Sequence, residues 1–229
     1  MCGRFNLLLP ANHNTIPLSK CCVEGTLWDG EPVGQEKTYA GQWTYVSGNN
    51  NQVAIWIVYD AFGEFYGLFA RLVSSFHHTF LKPTTVQILP MCPSFGGEYN
   101  RVGAVGYCWG GWAVFKLGAK SGNGLVDCIS TAHPSLLEME IEKVGVPVQI
   151  LAPENNFMFL PDMKAFVNMV IPNLGVPYDY QHFSGVEHGF ATRGDMNSHE
   201  YNAAVRAHCA TIDWFKLWLH KQPDWNQGV

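Results

Sequence analysis

At 229 residues, with 47% apolar and 14% aromatic side chains, the chain can bury one large core, and an α/β sandwich fits it as a single domain. A net charge of −5 with no basic block argues against nucleic acid as the main partner. No apolar run approaches the roughly 20 residues that a bilayer span needs, so no membrane role is expected. Seven cysteines are an odd number at irregular spacing, and adjacent Cys21-Cys22 fits neither a zinc site nor a C-x-x-C redox pair. No metal or cofactor is therefore expected, and a reducing compartment, most simply the cytosol, is.

In chain order, residues 1–20 read as a loosely ordered arm, with a patch at Leu7-Leu-Leu9 too brief for a signal peptide. Residues 27–34 carry turn signals. Thr44-Tyr-Val46 predicts a short strand, ended by the loop tip Ser47-Gly-Asn-Asn-Asn51. Val53-Ala-Ile-Trp-Ile-Val58 is a continuous apolar run, as in a parallel strand covered on both faces, and Tyr59-Asp60-Ala61 follows at its carboxyl end. A helix over Gly67–Phe76 and a strand over Thr85–Leu89 come next. Only Met91 to Asn100, rich in Pro and Gly, then leads to the following strand, a short connection for a parallel crossover.

Val102 to Val105 predicts a buried strand, and Trp112 to Lys120 alternates at helical spacing. Between them lies Gly106-Tyr-Cys108-Trp-Gly110-Gly111. A strand, a Gly-x-Cys-x-Gly turn and a helix make the nucleophile elbow of α/β-hydrolases, with Cys in the usual place of Ser. Bulk is excluded where strand and helix approach, and the helix N-terminus favours both thiolate and oxyanion. Further strands are expected over Leu125–Ser130, Val146–Leu151 and Tyr178–Phe183. Helices are expected over Met163–Val170 and Tyr201–Leu219, the last with Val205, Cys209, Ile212, Phe215 and Leu219 on one stripe. No internal repeat or linker divides the chain.

A thiol nucleophile needs a base, and the base needs an orienting group. His188 follows the last expected strand and precedes the closing helix, which is where this fold supplies its histidine. His133, after a strand and before Pro134, is its competitor.

The stretches Gly-Tyr-Cys108-Trp-Gly-Gly, Ala-His-Pro-Ser135, Ala-Pro-Glu154 and Glu-His188-Gly-Phe-Ala-Thr-Arg193-Gly-Asp resemble the dienelactone hydrolase family, particularly its fungal members. The resemblance runs from about Cys21 to the C-terminus, so 21–229 is expected to form one α/β-hydrolase domain. It implies Cys108 as nucleophile and His188 as base. It also implies oxyanion-hole N–H groups at Ala61 and Trp109, Asp60 beside the resting thiol, and Arg193 as a contact for an anionic substrate.

Two positions depart from the family pattern. Asn156 stands where the triad Asp belongs; it can orient an imidazole but lacks the charge that stabilises an imidazolium. Glu154, two residues away, is the alternative orienter. The 91–100 connection also lacks the helix that relatives carry beside the pocket. The expected function is thus a cysteine hydrolase of small carboxylic esters or lactones (EC 3.1.1 type), its activity weakened by these departures. A silent member that binds a small ligand or a protein partner is the other reading.

Overall fold

The computed structural model describes residues 33–39, 42–58, 60, 85–88, 99–120, 125–135, 137, 140–193 and 198–221. The expected arm (1–20), the expected helix at 67–76 and nearly all of the 91–100 connection lie outside them. Eight strands form one sheet: β1 (Gln35–Tyr39), β2 (Gln42–Ser47), β3 (Val53–Val58), β4 (Thr85–Ile88), β5 (Arg101–Tyr107), β6 (Cys128–Ala132), β7 (Val148–Asn155) and β8 (Tyr178–Glu187). Their order is β1-β2-β4-β3-β5-β6-β7-β8. The β1–β2 and β2–β4 pairs are antiparallel and all others parallel. Because β3 lies between β4 and β5, the short connection at 89–100 has to pass one strand. The helices are α1 (Trp109–Leu117), α2 (Pro161–Val170), α3 (Phe190–Arg193) and α4 (Ser198–Phe215), which continues into a π-helical turn, Lys216–Lys221.

All six residues of β3 are buried. Val53, Ile55 and Ile57 point into a core closed by Phe215, Trp218 and Leu219 of the C-terminal helical segment. Ala54, Trp56 and Val58 enter the opposite core, with Val114 and Phe115 of α1 and Val167 of α2. Alternate side chains of one strand thus feed both layers, which is why the sequence shows a continuous apolar run rather than alternation. A polar side chain of the sheet is buried on the face that α4 covers. Gln149 of β7 is 1% exposed. Its Oε1 accepts from Ser130 Oγ (2.8 Å), and its Nε2 donates to Asp179 Oδ2 (2.8 Å) and to the Ala210 carbonyl (3.2 Å). β6, β7, β8 and α4 are tied at one satisfied point, which fixes their register. On the outer edge, Arg206 and His199 of α4 reach the β8 carbonyls of His182 (3.3 Å) and Ser184 (2.9 Å).

Several elements differ from the sequence expectation. β1 is polar and exposed, so no apolar pattern announced it. β7 runs on through Pro153 to Asn155, and β8 through Ser184-Gly185 to Glu187, where turn chemistry suggested loops. The two extensions pair with each other across an irregularity at Pro153/Asn155, ending at Asn155↔Glu187. Turn-forming residues are accommodated there because a bulge and the positive φ of Gly185 absorb the misfit.

At the β5–α1 junction, a Cβ on Gly106 would overlap the carbonyl group of Gly110 and approach the amide of Gly111 to 2.8 Å. All these atoms are backbone, so nothing yields by changing rotamer. Gly106→Ala should destabilise the fold by about 3 kcal/mol or more, read as a lower urea midpoint. A second expectation concerns His208 on α4, whose imidazole is pushed by burial from 6.5 down to about 4. The unfolded chain takes up this proton at higher pH than the folded one, so stability falls as pH drops from 6.5 towards 4. Up to about 3 kcal/mol is at stake. Urea unfolding at neutral pH and at the acid end of that window should show this loss shrinking in His208→Gln.

Candidate active site

The carboxyl ends of β5, β6, β7 and β8 lie side by side, and the residue following each is Cys108, His133, Asn156 and His188 in turn. The last β7–β8 pair, Asn155↔Glu187, sets the next residues, Asn156 and His188, next to each other in register.

Cys108 occupies the turn between β5 and α1 with φ 54° and ψ −119°. It and His133 (φ 41°) are the two non-glycine residues with positive φ among those described. Such a conformation costs on the order of 1–3 kcal/mol and persists only when its surroundings impose it. Here they do. The Cys108 N–H donates to the Ala132 carbonyl (3.4 Å), and the Cys108 carbonyl accepts from the N–H groups of Gly111 (3.0 Å) and Ser135 (2.9 Å). The thiol does not cap α1, and its Sγ lies 3.4 Å from Ser135 Oγ. Trp109 is the first residue of α1, so its N–H has no acceptor within the helix.

His188 is 2% exposed, and its Nδ1 lies 2.9 Å from Asn156 Oδ1. The neighbours of Asn156 determine which way its amide faces. The Pro134 carbonyl can only accept, so it takes Nδ2 (3.2 Å); the Met158 N–H can only donate, so it takes Oδ1 (2.9 Å). The oxygen therefore faces His188, which must carry its proton on Nδ1 and leave Nε2 as the basic nitrogen. The imidazole is held between the rings of His133 (centroids 5.0 Å apart) and Phe157 (5.1 Å).

The other residues singled out in the sequence are placed as follows. His133 is 1% exposed and also packs against Tyr107 and Phe190, with centroids 5.8 and 5.9 Å away. Asp60, just beyond β3, is 1% exposed. Ala61 and the side chain of Arg193 lie outside the described residues. Glu154 turns to β8, where its carboxylate accepts from the Gly185 N–H (2.6 Å) and Ser184 Oγ (2.9 Å). These bonds, the Gly185 N–H foremost, hold its pKa below the usual glutamate value. Asn156, rather than Glu154, is the side chain brought onto His188.

Sequence reasoning missed the importance of Ala132-His-Pro-Ser135 as a unit. Each of its four residues touches the Cys108 turn or the His188–Asn156 pair. The signals were the Ala-His-Pro-Ser string, which carried the family resemblance, and His133 as a competitor for the base. Among the described residues, no three His, Cys, Asp or Glu side chains are grouped to hold a metal ion, and no helix is long and apolar enough to cross a membrane.

The sequence signature of the dienelactone hydrolase family matches residues 68–219, well over half of the chain. Among curated proteins, the hydrolase tropI of Talaromyces stipitatus is 34% identical over 147 residues, which are 62% of this chain and 57% of that protein. The match thus spans little more than half the length of that relative. The hydrolase pyvD of Aspergillus violaceofuscus is 28% identical across 90% of this chain and 99% of its own. Among solved structures, native esterase 2 of Thermogutta terrifontis superposes with a TM-score of 0.61 at 13% identity, covering 86% of this chain and 96% of that one. A puromycin-hydrolyzing peptidase of Mycobacterium tuberculosis gives 0.64 at 13% identity, covering 86% and 40% respectively. These two likenesses are of fold, and the fold is that of the α/β-hydrolases. Sequence signature and architecture agree: the chain belongs to the dienelactone hydrolase family.

Proposed function

We propose that residues 21–229 form one domain that hydrolyses a small carboxylic ester or lactone through a covalent thioester on Cys108. The observation that carries this reading is the succession at the sheet's carboxyl edge: a cysteine held in a strained turn at a helix N-terminus, and a buried His188 whose tautomer is fixed by Asn156. In the first step the Cys108 proton passes to His188 Nε2, and the sulfur attacks the substrate carbonyl carbon. The carbonyl π pair moves to oxygen, where the Trp109 N–H and, by resemblance, the Ala61 N–H receive it. Collapse breaks the C–O bond, and the departing alkoxide takes the proton from His188. In a lactone the alkoxide stays tethered to the acyl group. Water then attacks the thioester with His188 as base, releasing the acid and restoring the thiol.

Asn156 gives His188 orientation without charge, so the imidazolium is less stabilised than beside an aspartate. A thiol tolerates this better than a hydroxyl, because it ionises far more readily. Asp60 beside the thiol and Arg193 towards an anionic substrate group complete the reading, both by family resemblance. Cys128 and Cys209 are free thiols, which suits a reducing compartment such as the cytosol.

The first test is hydrolysis of a small activated aryl ester by wild type and Cys108→Ala, the latter expected to fall to the uncatalysed background. Turnover surviving in folded Cys108→Ala would remove the nucleophile assignment. Binding of a small acid by a wild type that turns over nothing would instead support the silent reading. Asn156→Asp tests the wiring of the pair. It places a carboxylate oxygen where Nδ2 now donates to the Pro134 carbonyl. Stability should drop by about 1–2 kcal/mol with no gain in kcat/KM. A faster and equally stable Asn156→Asp would show that the amide is a handicap rather than a fitted part.

A further inference from the structure

Ser135 is 3% exposed, and nothing in the reading above requires its hydroxyl. Its N–H donates to the Cys108 carbonyl at 2.9 Å, which pins the residue against the nucleophile turn whatever its side chain does. Its Oγ lies 3.4 Å from Cys108 Sγ, within hydrogen-bond reach of sulfur. While the thiol is protonated, either atom can donate in this contact. Once the sulfur has lost its proton it can only accept, so the hydroxyl must donate. Hydrogen bonds to an ionised partner are about twice as strong as neutral ones, so the contact favours the thiolate over the thiol.

We propose that Ser135 is a positioning residue that donates its hydroxyl proton to the Cys108 thiolate and so lowers the pKa of the nucleophile. The inference rests on Cys108 as nucleophile and deepens that reading. It also answers the neutrality of Asn156. Proton transfer from Cys108 to His188 creates an anion and a cation together. With no carboxylate behind the imidazolium, stabilisation has to come from the sulfur side, and a buried hydroxyl fixed through its own backbone supplies it. The step moves one proton, from Sγ to His188 Nε2, while the Ser135 proton stays on its oxygen throughout.

The measurement is the pH dependence of Cys108 alkylation by iodoacetamide in the full chain, followed on the Cys108 peptide so that other cysteines do not contribute. Among the described residues, the other titratable groups at this corner are His188, His133, Tyr107 of β5 and Asp60 after β3, and all are kept in each variant. Ser135→Ala should raise the midpoint by about one pH unit, a tenfold loss of thiolate at neutral pH. Ser135→Thr, which keeps a hydroxyl at the same atom, should return the midpoint towards wild type. Loss of packing alone would lower stability without moving the midpoint. An unchanged midpoint in Ser135→Ala overturns the proposal, and so does an equal shift in both variants. Turnover of the aryl ester in Cys108→Ala is measured alongside. If it survives there, the nucleophile reading fails, whereas an unmoved midpoint with Cys108-dependent turnover sinks only the role of Ser135.

Discussion

The absence of one carbon atom governs the geometry of this site. Gly106 is the last residue but one of β5, and the chain turns back so sharply after Cys108 that the first turn of α1 lies on top of it. Any side chain there would push α1 off the strand, and with it the N–H groups at the start of the helix. The positive φ of Cys108 follows from the same closeness, since a relaxed backbone would open the angle between strand and helix. From the opposite side, Thr131 Oγ1 of β6 donates to the Gly106 carbonyl at 2.8 Å, so the neighbouring strand holds the tight point in place.

That neighbouring strand does more than support. Ala132 to Ser135 leaves the sheet between Cys108 and His188, and touches both. Its carbonyls take the Cys108 N–H and the Asn156 amide, its imidazole packs on that of His188, and its last residue grips the Cys108 turn through backbone and side chain. The two halves of the site therefore share a common wall instead of being positioned independently. The Pro134 carbonyl also gives Asn156 a partner that a carboxylate would repel, so the amide fits its surroundings on both of its ends.

Much of this was legible in the amino-acid order, and the reasons are local. β3 and β5 announce themselves because both of their faces are buried, leaving unbroken apolar runs. α4 announces itself through one apolar stripe, although it continues into a π-helical turn, Lys216–Lys221, that no periodicity signals. Cys108 and His188 stand out in the sequence through glycine spacing and chain order, and the structure sets them at the ends of β5 and β8 in the same sheet. The parts that escaped depend on pairing across the chain. β1 is too polar to register, and the outer halves of β7 and β8 are written in Pro, Ser, Gly and Glu, residues that read as turns when taken alone. They are strands because each is the other's partner. The 3.4 Å contact between residues 108 and 135 escaped likewise, since it exists only once β5 and β6 are aligned.

The outer face of β8 carries a different implication. Two of its carbonyls, at His182 and Ser184, already accept from α4, the helix that packs beside them. A strand from another molecule would find those acceptors occupied and would have to displace Arg206 and His199 before it could add to the sheet. Part of this sheet edge is therefore occupied from within, by side chains belonging to the same fold. Copies of this protein that meet in a crowded solution encounter the side chains of Arg206 and His199 at those two positions instead of free acceptors.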